Sequence, residues 1–528
     1  MIHSDYIRLN RILAGIIFII SFIVYFDTMA PTVSYWDCGE FIAVSHTLGV
    51  PHPPGSPFFL LVGRIASMIP ISDDIAYRVN ILSPLVSALA VMFLYLIIVQ
   101  VVVKWRGKLE TINDALVAFG GAVVGSLVFA FTDSHWFNAV EAEVYAMSTF
   151  FTAIVVWLIL HWSEKADEKG HERYILIIAY MIGLATGLHL LNLLTLPFVA
   201  LIIYFRKYRP KVSHGSVIGH TESGEMVHKE KTVSIKFILS QSFWMMVFIT
   251  GIVFFIIHNV IIKGLPKIAA SFIGVGGTAL LILAIFGGMV WAIMEKRKIY
   301  SVVLSSMVLI LIGYSTYALI FIRSNQNPGI DENDPETVER AIKYLEREQY
   351  GAIFTLPRKY KKEEVGSYPH KISIVGRPGN NGTFSSSQKY KYMFHALGIQ
   401  LDFLWNYQIQ RMYFRYFLWQ FAGRGPAGET WVSDFGAVQK RGEDGVDWSQ
   451  FVFPLPFLLG LYGMVYHFKR DPERAWSVMA LFFILSYKTS RAFSISALLE
   501  IKISGFKLVN FLTASSVDKS SGSSIAIT

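Results

Sequence analysis

Apolar residues run in long blocks along this chain, separated by short polar stretches. The blocks fall near residues 12–30, 79–103, 114–131, 145–162, 174–189, 191–205, 236–257, 268–293, 299–322, 451–468 and 475–487. A hydrocarbon core of about 30 Å takes roughly 20 apolar residues per helix, so the pattern predicts an all-α polytopic membrane bundle of about 11 transmembrane helices. The last block is short. The pair 174–189 and 191–205 meets tightly around His189 and Asn192, so one bent hairpin is an alternative reading. Ser56–Ile69 is apolar but too short to cross, which predicts a helix lying in the membrane interface.

Basic residues between the blocks set the orientation. With the N-terminus in the cytoplasm, Lys104, Arg106, Lys165, Arg206, Lys296 and Lys469 all fall inside. The inside segments then hold 21 Lys and Arg, and the short outside loops hold 4, namely Arg64, Arg78, Lys263 and Lys267. Three segments face outward on this reading: 31–78, 132–144 and 323–450. A domain plan follows: a transmembrane core over 1–322, an extracytoplasmic region over 323–450, C-terminal spans over 451–487, and a serine-rich tail over 488–528 expected to be disordered or aberrant. Within 323–450, Glu336–Gln349 predicts a helix, Val375–Ser386 predicts turns, and Met393–Leu418 is aromatic-rich. Asn381-Gly382-Thr383 fits a glycosylation sequon, a weak match.

Composition agrees with the pattern. The chain is 53% hydrophobic and only 16% charged over 528 residues, against about a quarter charged for soluble proteins. Its net charge of +9 is explained by membrane topology, so no nucleic-acid partner is expected. The first block lacks a small-residue cleavage site and reads as a retained anchor. Cys38 is the sole cysteine, which rules out an internal disulfide. Nucleotide-loop and zinc-binding motifs are absent, so no metal ligand is assigned, although a divalent metal stays open.

The polar segments after the first and third blocks carry the chemistry. Tyr35-Trp36-Asp37-Cys38-Gly39-Glu40 follows the first block, and His52-Pro53-Pro54-Gly55 follows twelve residues after Glu40. On a helix, Asp37 and Glu40 share a face, and paired carboxylates raise one pKa toward the range of a general base. On its own, an acid at this place reads first as a plain helix N-cap; the His-Pro-Pro corner is what turns the reading toward a site. The residue before a proline is pushed to extended backbone, so the double proline would present His52 rigidly. A simple turn is the alternative. The second segment, Thr132 to Tyr145, holds Asp133, His135, Glu141 and Glu143, of which Glu141 or Glu143 could face Asp37. His189 and Asn192 could serve a substrate or merely satisfy a bent turn. Arg323 could meet a substrate phosphate or a lipid headgroup.

Trp36-Asp37-Cys38-Gly39-Glu40-Phe41, Leu48-Gly49-Val50-Pro51-His52-Pro53-Pro54-Gly55 and Ala139-Val140-Glu141-Ala142-Glu143-Val144-Tyr145 resemble the transmembrane protein 260 family, known in bacteria as domain of unknown function 2723. Gly187-Leu188-His189 and Gly313-Tyr314-Ser315-Thr316-Tyr317 look similar too. The resemblance runs from about residue 10 to about residue 487, where this chain leaves the family's pattern of further helices. Through that family the chain resembles C-type membrane glycosyltransferases, among them protein O-mannosyltransferases.

The resemblance implies an inverting transfer of a hexose, expected to be mannose, from a polyprenyl-phosphate donor to Ser or Thr hydroxyls of exported proteins. It implies Asp37 as the general base and Glu40 as the group that tunes it. His52 would shape the loop or touch the donor, Glu143 would position the acceptor or sugar, and Arg323 could stabilise the charge of the leaving phosphate. Pro53, Glu141, His189 and Asn192 are the further substrate-binding candidates. A bacterial inner membrane with a periplasmic site is expected. Two rivals remain: transfer to a lipid or glycan acceptor, and a transporter or flippase of lipid-linked sugars. A carrier would place polar groups at mid-membrane, often in broken helices, whereas here they crowd the loops.

Overall fold

A computed structural model of the protein describes residues 3–35, 37–107, 109–208, 235–271, 273–350, 409, 413–425, 445–448 and 454–495. They fall into two units, one over 1–347 with 462–482 and the other over 348–461 with 483–528. The sequon at Asn381, the turns at 375–386 and the tail beyond residue 495 lie outside the described residues.

In the first unit, α1 (His3–Asp27) is followed by the short α2 (Cys38–Thr47), α3 (Pro57–Met68) and α4 (Ile75–Asn80). Next comes α5 (Leu82–Arg106), whose last turn carries Lys104 and Arg106, cations favoured at the negative end of a helix. A capping box between Thr111 and Asp114 starts α6 (Ile112–Ala115), which passes through one π-helical stretch into α7 (Gly121–Ala130). Then follow α8 (Asp133–Ala139), α9 (Val144–Lys165), α10 (Glu172–Thr186) and α11 (Leu196–Ile203). Beyond the undescribed 209–234 come α12 (Gln241–Phe255), α13 (Gly264–Ala270), α14 (Gly274–Met294), α15 (Lys298–Tyr314), α16 (Ala318–Ser324) and α17 (Val338–Glu346).

The protein is an all-α polytopic membrane protein. Among the described residues, eight helical stretches are long and apolar enough to cross a membrane: 5–27, 75–104, 112–130, 144–165, 190–208, 241–262, 274–294 and 298–324. The count of about 11 is not confirmed among the described residues, because the remaining apolar helices are shorter or more charged. α10 has 15 residues and the helix Leu455–Arg470 has 16; at 1.5 Å per residue they reach about 22 and 24 Å, short of the core. The helix Pro472–Ile495 is long but carries Glu473, Arg474, Lys488 and Arg491. It also continues through 488–495, where a tail was expected.

α5 packs against both α1 and α9, and α10 lies along α15. The α10–α15 crossing is a backbone contact: a Cβ on Gly313 would sit 2.4 Å from the Gly183 carbonyl carbon. Only glycine fits there, as in other close membrane-helix pairs. Tyr317 Oη donates to Thr186 O at 3.3 Å just beyond. Two motifs far apart in sequence, around Gly187 and around Gly313, are therefore one helix crossing.

The second unit contains, among its described residues, the short helix Arg415–Phe421 and a two-stranded antiparallel pairing of Arg424–Gly425 with Gly445–Val446. Leu418, Trp419, Ala422 and Val446 form its small core, and the Arg415 guanidinium lies 5.0 Å from the Trp419 ring centre.

Candidate active site

Four segments between helices meet at one end of the first unit. Asn80, fully buried at the end of α4, stitches two of them: Nδ2 donates to Ala30 O and Thr32 O, both at 2.9 Å, and Oδ1 accepts from Ala142 N at 3.1 Å. Ala30 N donates to Val140 O at 2.9 Å. Ser34 Oγ donates to Glu141 Oε2 at 2.7 Å. A third segment joins where Ser56 Oγ donates to Leu188 O and Phe58 N to Gly187 O. The fourth enters through Val50, whose N–H donates to Ile330 O at 2.8 Å and whose carbonyl accepts from Glu332 N at 3.0 Å.

Asp37 stands at the N-cap of α2, yet its side chain makes no capping hydrogen bond and is exposed. Glu40, one turn on, is half-buried and turned to His52. The His52 N–H donates to Glu40 Oε1 at 2.6 Å, and His52 Nδ1 lies 2.9 Å from Glu40 Oε2. Burial pulls the His52 pKa down, but the hydrogen bond and charge of Glu40, with the charge of Asp37, outweigh it; the net shift is upward. Pro53 is buried and precedes a cis peptide to Pro54, and Gly55 adopts φ +95°. That left-handed backbone and the Tyr344 hydroxyl, 2.6 Å from where a Cβ would be, both demand glycine.

Glu143 caps α9, its carboxylate accepting from Val144 N at 3.3 Å. It is buried, and burial first, then the charges of Asp37 and Glu141, push its pKa up to about 8. Glu141 is raised as well, by burial, against a lowering by Ser34 and Cys38. Cys38 Sγ lies 3.9 Å from Glu143 Oε1, and burial with the surrounding acids pushes the thiol far up, away from reactivity. His135 is elsewhere: it sits between Phe129 and Tyr25, and burial lowers its pKa to about 4.

The structure thus gathers Asp37, Glu40, His52, Pro53, Glu141 and Glu143. His189 and Asn192 adopt turn-forming roles. His189 Nδ1 accepts from Leu191 N at 3.3 Å, and its ring packs 5.5 Å from Tyr145. Burial, then the charge of Arg347, lowers the His189 pKa to about 4. Asn192 Oδ1 accepts from Thr152 Oγ1 at 3.0 Å, bolting the turn to α9. Arg323 lies on backbone carbonyls, Nε donating to Leu48 O at 2.6 Å and Nη2 to Thr47 O at 3.2 Å.

Two residues escaped the sequence reading. Asn80 could have been flagged as a lone amide opening an apolar block. Arg347 gave no signal, because it fell inside the predicted helix Glu336–Gln349. That helix begins at the Thr337 cap and ends at Glu346, leaving Arg347 in left-handed backbone with its charge reaching both His52 and His189.

The ligand atoms of Asp37, Glu40 and His52 lie within 4.8 Å of one another, a spacing that can hold a metal ion. Chemically, the site offers an exposed carboxylate able to accept a proton, a locked acid–imidazole pair beside it, and a buried carboxyl able to donate.

Fold and site together define a multi-pass α-helical membrane protein with an acid–histidine centre at one membrane edge. Residues 37–212 match the family model of the protein O-mannosyl-transferase TMEM260 N-terminal domain, and this part of the chain is TMEM260-like. The match starts at Asp37 and takes in every site residue read from the sequence but Arg323; Arg347 also lies beyond it. Over 204 residues the chain is 30% identical to protein O-mannosyl-transferase tmem260 of Dictyostelium discoideum, covering 36% of this chain and 23% of that protein. Over 149 residues it is 29% identical to protein O-mannosyl-transferase TMEM260 of Mus musculus, covering 28% of this chain and 19% of that protein. The matched part therefore spans about a quarter or less of the length of these curated relatives. No solved structure matches the chain.

Proposed function

We propose that the protein is a membrane glycosyltransferase that moves a hexose, read as mannose, from a polyprenyl-phosphate donor to Ser or Thr hydroxyls of exported proteins. The observation that carries this reading is Asp37: a carboxylate at a helix N-cap that caps nothing, exposed beside the Glu40–His52 pair. In the proposed step Asp37 takes the proton of the acceptor hydroxyl. The hydroxyl oxygen attacks the sugar C1 from the face opposite the phosphate, and the C1–O bond to the phosphate breaks with its electron pair leaving on the lipid phosphate. The anomeric configuration inverts. Glu143, with its raised pKa, holds a proton near neutrality and is suited to donate a hydrogen bond to a sugar or acceptor hydroxyl.

Support for an enzyme over a carrier comes from placement. Asp37, Glu40, His52, Glu141 and Glu143 all lie in segments between spans. The excess of basic residues on the opposite side supports a site on the outer face, proposed here as the periplasmic face of a bacterial inner membrane.

A divalent cation belongs to the same reading. Asp37, Glu40 and His52 offer two carboxylates and an imidazole nitrogen, a donor set suited to Mn²⁺ or Zn²⁺. Bound there, the ion would supply positive charge next to the leaving phosphate. The experiment that tests the function is mass spectrometry of exported proteins from cells with and without the gene. Loss of hexose from Ser and Thr peptides is the expected result, and an unchanged glycan profile contradicts it.

A further inference from the structure

We propose that Arg323 and Tyr344 are positioning residues that hold the His52 corner against Glu40. The inference rests on the function proposed above and adds two residues to its machinery, each acting through the backbone of that corner.

α2 ends at Thr47, with Leu48 in left-handed backbone at φ 52°. A helix that stops this way leaves its last carbonyls without intrahelical partners. Arg323 covers two of them, Thr47 O and Leu48 O, with its guanidinium. Val50 is held on both backbone groups by Ile330 and Glu332. Tyr344, buried on α17, donates its hydroxyl to Pro51 O at 2.6 Å. From residue 47 to residue 51 the corner is tied by hydrogen bonds from 323–344. The next residue is His52, which delivers two hydrogen bonds to one carboxylate. Bonding both Glu40 oxygens from a single residue requires the backbone at 52 to be fixed in place as well as the ring. The strap from 323–344 supplies that restraint, and its attachment points are distant in sequence from the corner by 275 and 293 residues.

Arg323 has a competing assignment as a cation for the donor phosphate. The two roles separate kinetically. Removing a cation that binds the phosphate raises the donor KM, whereas a slack corner lowers kcat and leaves the donor KM near its starting value.

The test uses the full chain in lipid nanodiscs with Tyr344→Phe, which keeps the ring, and Arg323→Gln, with Arg323→Lys as the conservative rescue. Hydrogen–deuterium exchange reads the amides of 47–55, and steady-state transfer from a polyprenyl-phosphate mannose donor to a Ser/Thr peptide reads the kinetics. Faster exchange confined to 47–55 is expected, with kcat down by roughly tenfold or more, donor KM within about twofold, and partial recovery in Arg323→Lys. Wild-type exchange and kcat in both variants overturn the proposal. So does a rise in donor KM alone for Arg323→Gln. If the wild-type protein transfers no sugar, the functional reading fails, while the exchange result still decides whether the strap holds the corner.

Discussion

Glu40 and His52 are joined twice: the His52 N–H donates to one carboxylate oxygen at 2.6 Å, and its ring nitrogen sits 2.9 Å from the other. The thirteen residues from Glu40 to His52 are closed into one unit by this pair. It leaves Asp37, on the same helical turn, as the acid with a free path to a substrate.

The double bond has a pH signature. The folded-state pKa of His52 is raised, so its stabilisation is complete below the unfolded value near 6.5 and fades as pH rises through the folded value. His52→Ala should therefore cost about 1–2 kcal/mol at pH 6, the worth of a charge-assisted hydrogen bond partly open to solvent. It should cost visibly less at pH 9. Chemical denaturation at both pH values, in chelator, checks this; an equal cost at both values refutes it.

Glu143 behaves with the same sign through a different cause. Burial raises its folded pKa to about 8, so its ionisation charges the folded state a penalty that starts above the unfolded value of 4.5 and is complete above 8. Every tenfold rise in proton affinity on folding adds about 1.4 kcal/mol to that penalty. Glu143→Gln, which preserves the shape and the acceptor for Val144 N, should raise the unfolding temperature at pH 9 and change it little at pH 4.5. Loss of stability at pH 9 would mean that the carboxylate is stabilised where it lies.

The helix crossing gives a purely steric prediction. Gly313→Val places a side chain where the neighbouring atoms are backbone, 2.4 to 2.8 Å away at Gly183 and Leu184. Overpacking costs of about 1–3 kcal/mol are expected at least, since backbone cannot swing aside as a side chain can. The protein should show reduced yield of the folded, detergent-stable form, while Gly288→Ala, 3.5 Å from the end of a leucine side chain, should be tolerated.

A cation at Asp37, Glu40 and His52 must displace the proton that His52 shares with Glu40. Binding should strengthen as pH rises from 6 to 8. Mn²⁺ titration of the nanodisc-held protein by electron paramagnetic resonance checks it. Saturable binding lost in His52→Ala is the expected result, and identical titrations of the two proteins contradict the site.

How much of this was legible in the chain depended on sequence distance. Asp37, Glu40 and His52 lie within sixteen positions, and local rules sufficed: a shared helical face, then a proline-stiffened corner. Glu141 and Glu143 were legible as acids at the next loop, though nothing local says that Ser34 and Asn80 tie that loop to the first. Spacing alone left open whether Asp37 caps its helix, and the uncapped geometry separates those readings. Arg323 reads as a snorkelling or phosphate-binding cation because a sequence cannot show carbonyls 275 residues away. The apolar blocks located the helices well, but they do not give helix lengths: the block at 174–189 reads like a full span, whereas α10 has 15 residues.

The central claim is that Asp37 deprotonates the acceptor. Its most direct test is single-turnover transfer from a polyprenyl-phosphate mannose donor to a Ser-containing peptide by purified wild-type and Asp37→Asn proteins, both confirmed folded by thermal unfolding. The account predicts a rate loss of roughly 10² to 10⁴ with donor binding retained. A variant that transfers mannose at the wild-type rate would contradict it.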